Sequence, residues 1–352
     1  MTGSRDRLTD RRRKPLQGVV SGVREAASRR WCYKGLAVSP FARALADMRR
    51  RFFLMENPGA GVAGSPLVED VVRLLIETGA TLTRSRSIDI PSARTAVRQA
   101  AQSGNYDAII AAGGDGTIRH AAASLMGCDH ALGIIPVGTG NVLAHEIGLS
   151  RTPAAIAQAL LAGPVATVAC AEANGEPFLL MVGAGFDARV VGALDQRLKS
   201  RLGKAAYAGP LLGAIIRPVD TLSVSVDGHR HLATWAVIAN ARHYGGRFVL
   251  APRTGILERG LEAILFKTRN RAVLLAQLMS LAAGRLAPGT TQGGDIAMLP
   301  CARATIRARR PVPVQIDGDA FGTTPIEVHA GTGDIRLILP AVNDRNPTLT
   351  FH

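Results

Sequence analysis

Hydrophobic and polar positions follow two different patterns along the chain, and the change falls near residue 165. Before that point, short apolar runs alternate with segments such as 66–78, where Val68, Val71, Val72 and Leu75 would share one helix face with Ile76. The pattern predicts strands at 51–56, 81–90, 108–112 and 131–136, and helices at 66–78, 92–103 (capped by Ser92), 118–126, 142–149 and 153–162. This alternation with short connections predicts a parallel sheet covered on both faces.

From residue 165 onward, apolar runs come in pairs separated by short polar turns such as Asn174-Gly175 and Asp227-Gly228. Strands are predicted at 165–173, 178–183, 221–226, 231–241, 261–267, 304–309, 312–316 and 326–329, with helices near 203–216 and 271–284. Clustered strands with polar turns predict an antiparallel sandwich. A late strand at 334–339 would pack back against the first domain.

The length of 352 residues, of which 47% are hydrophobic, is enough for two domains with their own cores. We predict a basic extension at 1–50, an α/β domain at 51–164, a β-rich domain at 165–330 and a returning strand within 331–345. The four cysteines are far apart and form no C-x-x-C pair, which argues against a zinc site or a disulfide framework.

The formal charge of +15 is concentrated at the start of the chain, where residues 1–51 contain fourteen Lys or Arg and four Asp or Glu. A solvated tail, a nucleic-acid arm and a segment resting on anionic lipid are all compatible with this charge. Trp31, Tyr33 and Phe41 lie among the charges and favour an interface. No signal peptide or membrane-spanning run is predicted, so we expect a cytoplasmic protein. From the basic start of the chain we expect association with the surface of an anionic membrane, and we expect no nucleic-acid partner.

Three glycine-bearing turns, at 57–61, 113–117 and 138–141, each follow a predicted parallel strand. Ligands gather at the carboxyl ends of such strands. Glycines let backbone N–H groups approach a phosphate, and a following helix N-terminus adds partial positive charge. Asp115 would repel a bare phosphate but fits a ligand of Mg²⁺. The turns therefore predict a nucleotide-triphosphate site, although a tight structural turn is the alternative for 113–117 alone.

Two further motifs complete an ordered set: Gly183-Ala184-Gly185-Phe186-Asp187 and Ile316-Asp317-Gly318-Asp319. Together with the three turns, they resemble the diacylglycerol kinase catalytic-domain family, especially its soluble bacterial lipid kinases, with sphingosine and ceramide kinases as relatives. The resemblance runs from about residue 51 to 339. It implies a first domain like those of NAD kinases and phosphofructokinases and an all-β sandwich-like second domain. It further implies transfer of the γ-phosphoryl group of ATP to a hydroxyl of diacylglycerol or a similar lipid, with Mg²⁺.

The resemblance also implies roles for individual residues. Asp319 is similar to the family's general base, with Asp317 as the alternative, and Asp115 would hold the metal. The positions that correspond to nucleotide-binding groups are Asn57, Ser87, Gly113, Gly114, Asp115, Gly116, Thr117, Gly138, Thr139, Gly140 and Asn141.

Three departures from the family pattern stand out. Val142 replaces a frequent aspartate, and Pro91-Ser92-Ala93 replaces a Gly-Asp-Ala cluster. Arg259 stands where several bacterial members have a loop aspartate that binds a structural Mg²⁺, and a guanidinium cannot ligate a cation. We therefore predict that this second metal site is absent.

Other readings stay open at this point. The chain could be an NAD-kinase-like phosphotransferase or a regulator that binds lipid or nucleotide without turnover. Asp187 could contact substrate or metal, or only cap a strand end. His145 and Glu146 are expected to be surface or packing residues. The identity of the lipid and the oligomeric state, including a homodimer, are not determined by the sequence.

Overall fold

The computed structural model of the chain describes residues 48–56, 64–87, 89–193, 208–217, 219–286 and 295–341. Most of the predicted basic extension, and the 57–61 turn with Asn57, lie outside these residues. Among the described helices, none is both long enough and apolar enough to cross a bilayer.

The first part of the described chain alternates strands and helices. Its strands are β1 (Arg51–Glu56), β2 (Thr81–Arg86), β3 (Ala108–Gly113) and β4 (Ala131–Pro136). Its helices are α1 (Pro66–Glu77), α2 (Ile90–Gln102), α3 (Asp115–Leu125), α4 (Val142–Glu146) and α5 (Pro153–Ala162). The strands are parallel, in the order β2-β1-β3-β4. Every residue of β3 and β4 is buried, as expected for a parallel sheet covered on both faces. The predicted α/β architecture is confirmed.

Two local predictions in this part need correction. Ile76 does not share the buried face of α1 with the other four apolar residues, because 56% of it is exposed. Ser92 was predicted to cap α2, but the helix begins earlier, and the carboxylate of Asp89 accepts the N–H of Ser92 at 2.7 Å. Aspartate is a strong capping residue, and Pro91 fits the first helical turn, so the start of the helix moves toward the N-terminus.

The second part consists mainly of strands. They are β5 (Val165–Ala173), β6 (Glu176–Phe178), β7 (Met181–Ala184), β8 (Leu222–Val226), β9 (His229–Ala233), β10 (Trp235–Ala239), β11 (His243–Tyr244), β12 (Phe248–Val249), β13 (Leu261–Phe266), β14 (Ile296–Cys301), β15 (Arg303–Ala308), β16 (Pro313–Ile316), β17 (Asp319–Thr323) and β18 (Ile326–Ile338). Its helices are α6 (Phe186–Gly192), α7 (Ala208–Ile216) and α8 (Arg271–Ala282).

Most of these strands form the two layers of a sandwich, and β11 and β12 form a separate two-stranded sheet. One layer extends the parallel sheet through β18-β15-β8-β9, with β5 beside β18 and β6 beside β5, to give ten strands in all. The other layer has six strands in the order β14-β13-β10-β7-β16-β17. Buried side chains from both layers, such as Val224 and Ile306 from one and Val182 and Ile238 from the other, belong to one hydrophobic core. The predicted sandwich is confirmed.

The predicted hairpin of 165–173 with 178–183 is only partly correct. β5 pairs with the short β6, and the chain then leaves this sheet so that β7 lies in the other layer. The crossing occurs at Leu179 and Leu180, whose N–H groups both donate to the carboxylate of Asp317. The carboxylate of Asp317, which lies in a hairpin distant in sequence, therefore accepts the N–H groups of Leu179 and Leu180 in place of a neighbouring strand.

The last described strand connects the two parts of the chain. β18 is antiparallel to β5 along most of its length and is irregular between His329 and Gly333. Near its end, Arg336 and Leu337 pair in parallel with β4. The segment predicted to return to the first domain is thus the second half of β18.

Candidate active site

The first glycine turn joins β3 directly to α3. β3 ends at Gly113, and Gly114 is the extended residue that precedes the helix (φ −85°, ψ −179°). A Cβ at Gly113 would overlap the buried side chain of Thr117, so close packing requires glycine there. The N-terminus of α3 supplies a partial positive charge at this point.

The second glycine turn packs against the first. The N–H of Val137 donates to the carbonyl oxygen of Gly113 at 3.0 Å. A Cβ at Gly138 would lie 2.7 Å from the Cα of Gly114. The two turns therefore form one glycine-lined surface at the carboxyl ends of β3 and β4, where a phosphate could approach the backbone closely.

Asp115 and Asn141 fix the second turn to the short helix that follows it. The two carboxylate oxygens of Asp115 accept the N–H groups of Val142 and Leu143, each at 3.1 Å, at the start of α4. Asn141 has a left-handed backbone (φ 47°), and its Nδ2 donates to the carbonyl oxygen of Gly138 at 2.6 Å. Asp115 thus has a structural role in addition to any role toward a ligand.

The remaining predicted nucleotide-binding residues fall into three groups. Ser87 and Thr117 line the same small cavity beside the carboxyl ends of β1 and β2. Thr139 and Gly140 are partly exposed within the second turn. Asn57 lies outside the described residues. The described members of the set are therefore close to one another, and their binding roles stay a prediction.

A bound Mg²⁺ would have few protein ligands in the described part of the chain. That part contains no group of three or more His, Cys, Asp or Glu side chains placed to hold a metal. Nucleotide-bound Mg²⁺ needs only one or two carboxylates, because phosphate oxygens and water complete its shell. Each carboxylate oxygen also has more than one acceptor site. Asp115 therefore fits as a single ligand, and its metal role stays a prediction.

Asp319 from the second part of the chain lies against the first glycine turn. Its side chain, which is 44% exposed, begins the strand β17. A Cβ at Gly116 would overlap Oδ2 of Asp319, so the carboxylate sits directly over the backbone of the turn. A partly exposed carboxylate beside a phosphate-binding turn can accept a proton from a bound alcohol.

Asp317 has different surroundings, although it is only two residues away. It is buried, with a left-handed backbone (φ 49°). Its carboxylate accepts the N–H groups of Leu179, Leu180 and Met181 at 2.9–3.0 Å. Burial raises the pKa of Asp317 to about 6, against the opposing effects of Arg119 and these backbone N–H groups. The geometry gives Asp317 a structural role at the point where the chain changes sheets.

Arg119 is a buried cation beside Asp319 that the sequence analysis did not single out. Its Nη1 donates to Glu176 at 2.6 Å, and its Nη2 lies 3.4 Å from Oδ2 of Asp319. Arg94 also pairs with Glu176, and its Nη2 lies 2.8 Å from Nδ1 of His120. Burial and the two arginines lower the pKa of His120 to about 4, so this imidazole is neutral at pH 7. The signal in the sequence that could have identified Arg119 is its spacing, because it follows Asp115 by four residues and so lies on the same helix face.

The side chains of Asp187 and Glu146 are both largely covered, and both have partners within the protein. Asp187 accepts the N–H of Ala188 at 2.8 Å and a hydrogen bond from the Gln315 amide at 3.1 Å. Burial raises the pKa of Asp187 to about 6. Glu146 accepts backbone N–H groups from residues 242, 243 and 256, so its predicted packing role is confirmed.

Two of the departures from the family pattern have defined surroundings. Val142 is buried, and its N–H is held by Asp115. The guanidinium of Arg259 pairs with the carboxylate of Asp334 at 2.8 Å. A basic side chain with an acidic partner thus occupies this loop.

Comparison with known proteins gives similarity over most of the chain. Residues 51–173 match the family described as the diacylglycerol kinase catalytic domain, and residues 180–339 match the YegS C-terminal NAD kinase beta sandwich-like domain. A probable lipid kinase YegS-like protein of Pseudomonas fluorescens is 32% identical over 250 residues, covering 69% of this chain and 80% of that one. A diacylglycerol kinase of Mycobacterium tuberculosis is 28% identical over 249 residues, covering 66% of this chain and 77% of that one.

Among solved structures, a diacylglycerol kinase from Bacillus anthracis superposes with a TM-score of 0.59 at 19% identity, covering 86% of this chain and 99% of that one. At this level of identity the superposition supports the fold alone.

Proposed function

We infer the function of this chain from the family to which it belongs, the diacylglycerol kinase catalytic-domain family. Its named relatives include diacylglycerol kinases and probable lipid kinases. We propose that the chain transfers the γ-phosphoryl group of ATP to a hydroxyl of diacylglycerol or a similar lipid.

The glycine-lined surface formed by the 113–117 and 138–141 turns would hold the triphosphate. Backbone N–H groups and the N-terminus of α3 suit an anion, and the absence of a Cβ at Gly113 and Gly138 allows close approach. Mg²⁺, with Asp115 as its one predicted carboxylate ligand, would neutralise charge on the transferred group. Phosphoryl transfer depends mainly on such positioning and charge stabilisation.

Asp319 is the proposed general base. The lipid O–H proton would pass to the Asp319 carboxylate while the lipid oxygen bonds to the γ-phosphorus and the bond to the β-phosphate oxygen breaks, releasing ADP. The observation that carries this proposal is the contact of the Asp319 carboxylate with the backbone of Gly116. Asp317 is less suited, because it is buried and accepts three backbone N–H groups.

Incubation of the full chain with labelled ATP, Mg²⁺ and, in separate reactions, dispersed diacylglycerol, a mixed lipid extract or NAD tests the proposal. We expect labelled phosphatidic acid, and Asp319→Asn should lower kcat by about 10²–10⁴-fold without a measurable change in thermal unfolding. Asp317→Asn is the matched comparison, because it should instead lower the free energy of unfolding by about 1–3 kcal/mol.

Three outcomes would count against the proposal. Labelling of NAD in place of lipid would favour the NAD-kinase alternative. ATP binding without any labelled lipid from a mixed extract would favour a regulator. Full turnover by Asp319→Asn would remove Asp319 from the mechanism.

A further inference from the structure

Two neighbouring helices of the second domain expose large apolar side chains on their outer faces. On α7, Leu212 and Ile216 are 60% and 66% exposed; on α8, Leu275 and Met279 are 49% and 64% exposed. Each pair has the i, i+4 spacing that places both side chains on one helix face. Only three other large apolar residues in the described part of the chain are comparably exposed, and they lie on other elements.

The two helices lie against each other and border one cavity. Residues Ala214 and Ile215 from α7 and Leu274 from α8 line it, together with Phe186 and Trp235. The inward faces of α7 and α8 are therefore already used, and the exposed pairs are additional apolar surface. We call the outer surface formed by Leu212, Ile216, Leu275 and Met279 the α7–α8 face.

Basic residues lie at or beside the ends of the two helices that carry the α7–α8 face. Residues 267–286 include no Asp or Glu. Exposed cations flank both helices: Arg217, Lys267, Arg269, Arg271 and Arg285. Asp220 is the acidic residue in the lining of the cavity, and its carboxylate is paired with Arg189. Apolar side chains accompanied by exposed cations match the chemistry of an anionic lipid surface.

We propose that the α7–α8 face docks on an anionic bilayer, with the four apolar side chains inserted among the acyl chains and the arginines at the phosphate level. This inference rests on the proposed lipid kinase function, since it assigns the surface by which the enzyme reaches a bilayer-bound acceptor. The basic segment before residue 50 is a separate element, and docking by the α7–α8 face does not require it.

The test compares two double variants of the full chain. Leu275→Gln with Met279→Gln removes apolar surface from the α7–α8 face. Ile76→Gln with Leu232→Gln makes the same kind of change at exposed apolar residues elsewhere. Both keep the basic segment, so its contribution is equal. Binding to phosphatidylglycerol vesicles is measured by co-sedimentation without ATP, and circular dichroism checks that both variants fold.

We expect the α8 variant to bind vesicles at least about tenfold more weakly than wild type, and the control variant to bind as wild type does. Hydrogen exchange on the wild-type chain should slow in residues 208–216 and 271–282 when vesicles are added. Equal binding by both variants would overturn the proposal. The proposal would also be overturned if these residues were already protected from hydrogen exchange without vesicles and the addition of vesicles changed nothing. Another part of the chain or a second copy would then cover the α7–α8 face. Wild type that docks in this way but phosphorylates no lipid would refute the proposed function and leave the docking surface standing.

Discussion

Arg119 is buried, and it contacts two acidic residues that are distant in sequence. Glu176 anchors one side of its guanidinium, and Asp319 lies at the other side. A buried guanidinium that is held in place by one carboxylate can fix the position of a second one. We therefore regard Arg119 as a residue that positions the proposed base.

Arg119→Ala is expected to lower kcat for lipid phosphorylation by about tenfold or more, with a much smaller change in the KM for ATP, because only the base loses its support. Arg94→Ala is the matched control. Arg94 also pairs with Glu176, but its other side-chain contact is with His120. Steady-state kinetics on both variants should separate them. A loss of kcat that is equal in both would mean that the cluster acts only through stability.

At the level of single residues, the sequence was informative where a residue belongs to a motif. The glycines of both described turns and Asp319 were found in this way, and they lie near one another. The sequence offers no ground for proposing Asp319 rather than Asp317 as the base, because the preference rests on burial and on backbone donors to Asp317 that are 136–138 residues away. Arg119 was missed for the same reason, since Glu176 and Asp319 are 57 and 200 residues from it in sequence.

The contact between the two glycine turns leads to a prediction about secondary-structure elements. A Cβ at Gly138 would lie 2.7 Å from the Cα of Gly114, closer than real Cβ atoms approach a backbone atom. Gly138→Ala should therefore push the turns apart and weaken ATP binding by about tenfold, as measured by isothermal titration calorimetry. Gly192→Ala is the control, because a Cβ there meets open space. Unchanged ATP affinity in Gly138→Ala would show that the turns do not form one phosphate-binding surface.

Periodicity predicted elements well where burial follows a single rule along the segment. In the first domain, β3 and β4 are buried throughout and β1 and β2 are each followed by an amphipathic helix, so apolar runs and helical spacing located the elements, although the strand predicted at 81–90 ends at Arg86. In the second domain, the segments 178–183 and 231–241 are mostly apolar, although the chain passes from one sheet to the other within each of them. At the second crossing, Thr234 interrupts the pairing and its hydroxyl donates to the carbonyl oxygens of Phe266 and Thr268. Because a residue buried between two sheets is apolar in either one, hydrophobicity alone does not mark such a crossing.

At the scale of the whole molecule, the two parts of the chain are joined through polar contacts as well as through β18. Glu146 at the end of α4 accepts the N–H groups of Arg242 and His243 at 3.0 Å and that of Ile256 at 3.2 Å. It also pairs with the His243 imidazole. This carboxylate therefore holds two backbone segments of the second domain against the first.

Glu146→Gln should reduce the free energy of unfolding by about 2–4 kcal/mol at pH 7, because an amide offers one acceptor oxygen where the carboxylate offers two. Burial by itself would raise the pKa of Glu146, but the hydrogen bonds from His243 and from the N–H of Arg242 lower it below its ordinary value of 4.5. A carboxyl group whose pKa is lower in the folded state stabilises the fold above its unfolded pKa, and this stabilisation is lost as the pH falls through the folded value.

The difference in the free energy of unfolding between wild type and Glu146→Gln should therefore be largest at pH 6–7 and shrink below about pH 4. Urea unfolding at pH 6–7 and below pH 4 measures this difference in the free energy of unfolding, with the exposed Glu77→Gln as control. A difference that is the same at both pH values would mean that the ionised carboxylate does not hold the two parts together.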